Sequence, residues 1–286
     1  MRGWVKRGLI QFILAIPLVA GVAPSHAEDL KFGVAPGPGE TEMRGEMEPL
    51  LTCLSSGLGR AVSLYIAKDD ADLQAKMEAA AVDVGNFSPF GYVAGARGGK
   101  IRIIAQSTLD GSATYRVVII KRFDSGIEKL ADLAAKRFAF VDPKSASGYV
   151  CPRALLIEKG INPERAFKDS IFAGSHEKVI AAVLLGSAAA GATYEGAVAM
   201  AKAQGLPTFD LEVLASTDPI PHDAIAVRVG LDGALAKAIQ TALVEIDRSA
   251  AGRQVMARRK KKLTGYALGN DGLYDVVRRT EKSAGR

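Results

Sequence analysis

Cysteine is almost missing from this chain, with two in 286 residues. Two thiols cannot build the framework of a small disulfide-held protein. Histidine is nearly as scarce. Of the three (His26, His176 and His222), the first lies in the N-terminal leader described below, so a histidine-rich metal site and a His-Glu-x-x-His helix are both excluded. Gly99-Lys100 lacks the upstream glycine spacing and the following Ser or Thr of a phosphate-binding loop. Gly33, Gly37 and Gly39 lack the spacing of a dinucleotide fingerprint, and Pro36 and Pro38 suggest a rigid turn instead. No Gly-x-Ser-x-Gly elbow occurs. The chain therefore reads as no enzyme, with no cofactor and no metal. An excess of one charge is also lacking. The formal charge is +6, but Arg2, Lys6 and Arg7 precede the first acid, Glu28, and the remainder is only mildly basic. That gives no argument for nucleic acid. Beyond the leader no uncharged apolar run reaches the length of a membrane span.

What is present is a globular composition, 48% hydrophobic and 24% charged, which excludes a disordered chain. The first 27 residues have three parts: a basic start, an apolar run over 9–22 broken by Gln11, Pro17 and Gly21, and the small residues of Ser25-His26-Ala27. This is the layout of a secretory signal peptide cut before Glu28, and it implies a soluble periplasmic protein. The alternative is an uncleaved anchor, for which the run is short of the roughly 20 apolar residues a span needs.

From residue 30 onward strands and helices alternate. Ten strand candidates fall at 30–35, 62–66, 82–86, 101–106, 115–120, 137–141, 170–172, 188–193, 211–215 and 224–228. Helical patterns at 46–59, 71–81, 89–97, 127–135, 148–159, 176–185 and 196–204 separate most of them. The tail reads as helical, with Leu235, Ile239, Ala242, Leu243 and Ile246 on one face and the basic run 258–262 on a solvated face of a late helix. Such alternation predicts an α/β protein of two lobes, each a mainly parallel sheet flanked by helices. Turn-rich stretches at 108–114 and 216–223, the second carrying Asp218-Pro219-Ile220-Pro221, mark two hinge crossovers. The first lobe is then 28–110 with 222–286, and the second is 111–221. Small ligands favour the cleft between two such lobes. The competing arrangement is a single domain with two long turns. Cys53 and Cys151 fall in different lobes on this reading and stay unpaired, as small buried thiols.

Four segments at strand ends carry polar chemistry. Asp142-Pro143-Lys144-Ser145-Ala146-Ser147-Gly148 joins a strand to a helix start, where two hydroxyls, a glycine and free backbone N–H groups suit an anion without a formal cation. The plainer reading is an ordinary capping serine. Gly174-Ser175-His176 opens a second helix, whose buried face is Val179, Ile180, Val183 and Leu184. A lone histidine there is commonly a packing or surface residue. Tyr194-Glu195 and His222-Asp223 also follow or precede strands. In a doubly wound lobe these ends face the ligand.

Ser88-Pro89-Phe90-Gly91-Tyr92-Val93, the 142–148 segment, Gly174-Ser175-His176 with Ala182-Val183 and Gly186 downstream, and Ile220-Pro221-His222-Asp223 give the chain a resemblance to the phosphate/phosphite/phosphonate-binding family of ABC-importer periplasmic proteins, over most of 30–274. The resemblance implies a type II periplasmic binding fold closing on one oxyanion. It implies that Ser145 and Ser147 are hydroxyl donors with the Gly148 N–H beside them, and that His176 faces the ligand. Glu195 and Asp223 would accept protons carried by the ligand, and Tyr92 would be an aromatic wall from the first lobe. Ala146 stands where the family often has a third hydroxyl. The implied function is capture of phosphate, phosphite or a phosphonate by a monomer and delivery to an ABC permease in the inner membrane. The alternative is a sensor that presents a phosphorus or arsenic oxyanion to a membrane histidine kinase. Trivalent arsenic prefers thiolates, and the separation of Cys53 from Cys151 disfavours it.

Overall fold

The computed structural model describes residues 29–35, 39–143, 145–257 and 263–283. The leader, the Pro36 and Pro38 turn and the basic run 258–262 lie outside the described residues. The chain begins with β1 (Leu30–Val34), α1 (Glu40–Leu58), β2 (Val62–Ile66), α2 (Asp70–Glu78), β3 (Val84–Phe87), α3 (Pro89–Ala96) and β4 (Ile101–Leu109). A two-residue strand, β5 (Thr114–Tyr115), leads away from this unit. There follow β6 (Val117–Arg122), β7 (Arg137–Phe140), a wide helical turn over Ala146–Val150, α4 (Cys151–Glu158), α5 (Pro163–Ala166), β8 (Asp169–Phe172), α6 (His176–Leu184), β9 (Ala190–Tyr194), α7 (Glu195–Ala203) and β10 (Leu211–Ser216). The chain returns through β11 (Ile220–Pro221) to β12 (Ala224–Arg228), α8 (Gly233–Val244), α9 (Ala250–Ala257), β13 (Leu263–Leu268) and α10 (Asp275–Ser283).

Local chemistry sets these boundaries. Helix α1 starts six residues before its apolar pattern, because Glu40 and Glu42 complement the first turn and Arg44 reaches back to Glu40. It stops at Gly59, whose φ of 62° is left-handed. The helix expected over 127–135 shrinks to one tight turn, Leu130–Leu133. Asp132 accepts from the N–H groups of Glu128 and Lys129, and Ala135 sits at φ 55°, so the segment closes on itself. The tail is not wholly helical. β13 adds an edge strand beside β4, which the period-3.6 pattern preceding it concealed.

Two lobes result, with sheets ordered β13-β4-β12-β3-β1-β2 and β10-β6-β9-β7-β8. As expected, most strands of each sheet run one way, with a minority opposed, β12 and β13 in the first and β6 in the second. β1 pairs parallel with β2 and β3, and β7 with β8 and β9, but the remaining ladders are antiparallel. The reason lies in how the chain re-enters each sheet. β6 starts opposite Tyr194, the last residue of β9, and β12 starts opposite Phe87, the last residue of β3. Each strand arriving from the other lobe therefore enters at the carboxyl edge of the parallel strands and must run against them. The two crossings pair with each other, Tyr115 with Ile220 and Thr114 with Pro221. The carboxyl edges of both sheets thus adjoin one hinge.

The core is split between the faces of each sheet. In the first lobe Phe32, Leu50, Leu54, Ile239 and Leu243 fill one face, while Leu73, Met77, Phe87, Tyr274 and Val277 fill the other. In the second, Phe138, Phe140 and Leu156 lie opposite Ile180, Val183 and Ala197. Helix α10 packs on α3 and also on α4, with Arg97 paired to Glu281 and Ser283 donating to Glu158 at 3.2 Å. The last helix therefore touches both lobes. Cys53 and Cys151 are both free thiols. Cys151 packs in the cluster that holds Tyr274 and Val277, and burial pushes its thiol up to about 12.

Candidate functional site

The loop after β7 supplies the first part. Ser145 caps the wide turn, its Oγ accepting from the Gly148 N–H at 3.0 Å. Tyr149 and Val150 both donate to the Ser145 carbonyl, and the Cys151 N–H bonds to the Ala146 carbonyl five residues back. Such widened turns recur at functional positions. A Cβ at Gly148 would collide with the Val141 side chain and crowd Ser145 Oγ, so the turn needs glycine there for space. The N–H of Gly148, expected as a ligand donor, is spent on this cap. Among the described residues nothing accepts from the N–H groups of Ala146 and Ser147. These two are the open donors at the helix start. Ala146 contributes through its backbone alone.

The second part comes from β9 and the start of α6. Ser175 caps α6 by accepting from the Lys178 N–H at 3.3 Å, which sets His176 at the first helical position. The imidazole lies between two hydroxyls, with Nε2 3.2 Å from Ser147 Oγ and Nδ1 3.0 Å from Thr193 Oγ1. Burial lowers its pKa from the ordinary histidine value, against the weaker opposing pull of Glu177 and Asp142. The ring is therefore neutral at pH 7. Tyr194 stands edge-on to it, with centroids 4.8 Å apart. Glu195 follows as the first, exposed residue of α7.

Aromatic contacts carry this wall to the hinge. Tyr194 meets Tyr115 at 6.0 Å, and Tyr115 stacks on His222 at 4.9 Å. Next to His222, Asp223 opens the first lobe's share. It is half-buried, and its charge contributes to raising the pKa of Asp70, Tyr115 and Tyr274. Asp70, at the start of α2, is raised chiefly by its own burial. One carboxylate oxygen accepts from Ser88 Oγ at 3.2 Å, and the other is buried with no partner. Gly91 has no side chain because the Asp70 carboxylate occupies that space.

The structure therefore brings Ser145, Ala146, Ser147, Gly148 and His176 together. It sets Glu195 on the same edge and Asp223 across the hinge. Tyr92 does not join them. It is 2% exposed, packs edge-on to Tyr274 at 4.7 Å and donates to Asp271 at 2.7 Å. A side chain so enclosed offers no wall, because the apolar residues of α3 draw the ring into the core. Sequence reasoning missed Thr193 and Asp70. The signals were present: a hydroxyl ending the small-residue strand β9, and paired acids directly after β2. Two surface depressions lie away from this site, one lined by Leu130 and Arg165 and the other by Tyr92, Asp271 and Arg278. Among the described residues no group of His, Cys, Asp and Glu side chains is placed to hold a metal, and no helix is long and apolar enough to cross a membrane.

Comparison with known proteins gives the family. Residues 32–274 match the family model described as the ABC transporter phosphonate periplasmic substrate-binding protein. The chain is 31% identical over 183 residues to the phosphate-import protein PhnD of Mycolicibacterium smegmatis, covering 60% of this chain and 57% of that one. It is 31% identical over 172 residues to the phosphonates-binding periplasmic protein of Escherichia coli, covering 56% and 50%. The matched segment thus spans about half the length of these relatives. Among solved structures, PhnD1 of Prochlorococcus marinus in complex with methylphosphonate superposes with a TM-score of 0.64 at 18% identity, covering 90% of this chain and 98% of that one. At that identity the likeness speaks for the fold.

Proposed function

Because the chain belongs to the periplasmic substrate-binding family of phosphonate ABC transporters, a family of binding proteins and not of enzymes, we propose that it captures a tetrahedral phosphorus oxyanion between its lobes and hands it to an inner-membrane permease. The lobes meant are 28–110 with 222–286, and 111–221, in a periplasmic monomer whose leader, 1–27, is removed. The observation that carries the reading is the turn at 145–148. It is a helix start with two N–H groups open, two serine hydroxyls beside them and a neutral imidazole behind. Donors of this kind hold anionic oxygens through the helix dipole and charge-assisted hydrogen bonds.

Proton bookkeeping then distinguishes the anions. Glu195 and Asp223, when ionised, only accept hydrogen bonds. Monohydrogen phosphate, hydrogen phosphite or a phosphonate monoanion brings an O–H that a carboxylate receives. Sulfate brings none and faces unshielded negative charge. The family match favours a permease as partner over a kinase.

Calorimetric titration of phosphate, phosphite, methylphosphonate and sulfate tests this. Wild type should bind at least one phosphorus anion and bind sulfate at least about tenfold more weakly, because sulfate has no proton to give to either carboxylate. Glu195→Gln supplies a donor and should weaken the phosphorus ligand while relieving sulfate. Ser147→Ala should weaken both alike. Sulfate bound as tightly as every phosphorus anion would mean that the carboxylates do not face the ligand.

A further inference from the structure

Thr193 is fully buried on β9, and its hydroxyl touches His176 Nδ1. Among the described residues it has no other hydrogen-bond partner. A neutral imidazole has one N–H and one lone pair, so its two hydroxyl neighbours cannot play the same role. If Nδ1 carried the proton, Thr193 would accept it, and the threonine's own proton would be buried with nowhere to go. If Thr193 donates to Nδ1, every group is satisfied. The ring proton then sits on Nε2 and is donated to Ser147 Oγ, 3.2 Å away. The Ser147 hydroxyl, relieved of donating to the ring, has its proton free for the cleft, and a hydroxyl that accepts one bond donates the next more strongly.

We infer that Thr193 is a positioning residue. Through the tautomer of His176 it fixes Ser147 as a hydrogen-bond donor, so that the ligand oxygen lying against Ser147 is an unprotonated one. This rests on the proposed oxyanion site and adds its polarity: the loop wall takes bare oxygens, and a protonated oxygen must turn to the carboxylates.

The test reads the tautomer directly. Long-range 1H–15N spectra of the full mature protein at pH 7.5, with His222→Gln used to assign the two rings, should show His176 protonated at Nε2. Thr193→Val keeps the shape and removes the hydroxyl. It should shift the ring toward the Nδ1–H form and weaken phosphate or methylphosphonate binding by about tenfold, one hydrogen bond's worth. Thr193→Ser should restore both tautomer and affinity to within about twofold. An Nδ1–H ring in the wild type overturns the inference without any variant. So does an unchanged ring and affinity in Thr193→Val. If the ring is Nε2–H but wild type binds neither anion, the proposed function falls and takes the donor role with it. If phosphate binds but the ring is Nδ1–H, only this inference falls.

Discussion

On the wall formed by β7, β9 and α6, every buried side-chain polar group among the described residues has a partner. His176 has a hydroxyl on each ring nitrogen, Ser145 closes its own turn, and the open donors are backbone N–H groups at a helix start. Across the hinge, Asp70 keeps one carboxylate oxygen buried and unpartnered, with the charge of Asp223 close enough to raise its pKa further. One wall is a settled set of donors, and the other holds an acceptor, Asp70 Oδ1, that is buried without a partner among the described residues. The mono-protonated tetrahedral anion proposed as ligand would complement both, with bare oxygens for the first and a hydroxyl for the second. The difference also says where each wall spends free energy. The donor wall is organised in advance, whereas the acid wall holds a cost that a bound proton or donor can remove.

The comparison breaks most completely at Gly148. Gly148→Val forces a side chain into Val141 and should cost about 2 kcal/mol by overpacking, lowering the melting temperature by several degrees and abolishing anion binding at calorimetric concentrations. Unaltered melting would show that the turn tolerates the intrusion. The acid wall should answer the opposite way. Asp70→Asn removes a buried charge and, with it, the weaker repulsion from Asp223, and should raise stability at pH 7 by about 1 kcal/mol, or roughly 2–4 °C; a loss of stability would mean that the fold depends on the ionised carboxylate.

pH sharpens the contrast. The pKa of His176 is lowered in the fold, so its contribution is complete above the unfolded value of about 6.5 and is lost as pH falls through the native one. The pKa of Asp70 is raised, so its penalty is present at neutral pH and disappears as pH falls through its native value toward the unfolded one near 3.9. Denaturant melts from pH 7 to pH 4 should therefore show His176→Gln losing less stability than wild type as the pH falls below the unfolded histidine value of about 6.5. The advantage of Asp70→Asn should shrink as the pH approaches 4. Parallel curves for all three proteins would remove the distinction between the walls. The smallest effect belongs to neither wall. Replacing three of the five basic residues at 258–262 by Gln should leave anion affinity within about twofold, a shift well under 1 kcal/mol.

Much of this was legible in the sequence, and the exceptions share a cause. Alternating patterns placed most elements, and Asp218-Pro219-Ile220-Pro221 marked the return crossing, because turn chemistry and periodicity are local. The loop at 145–148 and His176 were found for the same reason, each being a capped helix start after a strand. Which strands run against the rest was not legible. A run such as Ala224–Arg228 reads the same whichever way it enters the sheet, and only its pairing with Phe87 and Gln106 shows it antiparallel. Tyr92 was misjudged because a motif gives a residue's place on a helix but not which side of the helix is enclosed. Thr193 and Asp70 escaped because their partners, His176 and Ser88, are 17 and 18 positions away.

The insertion of β12 between β3 and β4 governs the order in which the molecule can be completed. The second sheet is assembled entirely from 117–216, a contiguous stretch able to close as soon as it is available. The first sheet has its N-terminal strands early but an open slot at its centre, because β4 has no neighbour on either side until β12 and β13 arrive from more than a hundred residues downstream. Closing such distant pairs is slow, and the waiting strand edges are sticky. The lobe that starts first in the chain is thus the one that finishes last, and a chain cut after Ser216 would carry a whole second lobe beside an unfinished first.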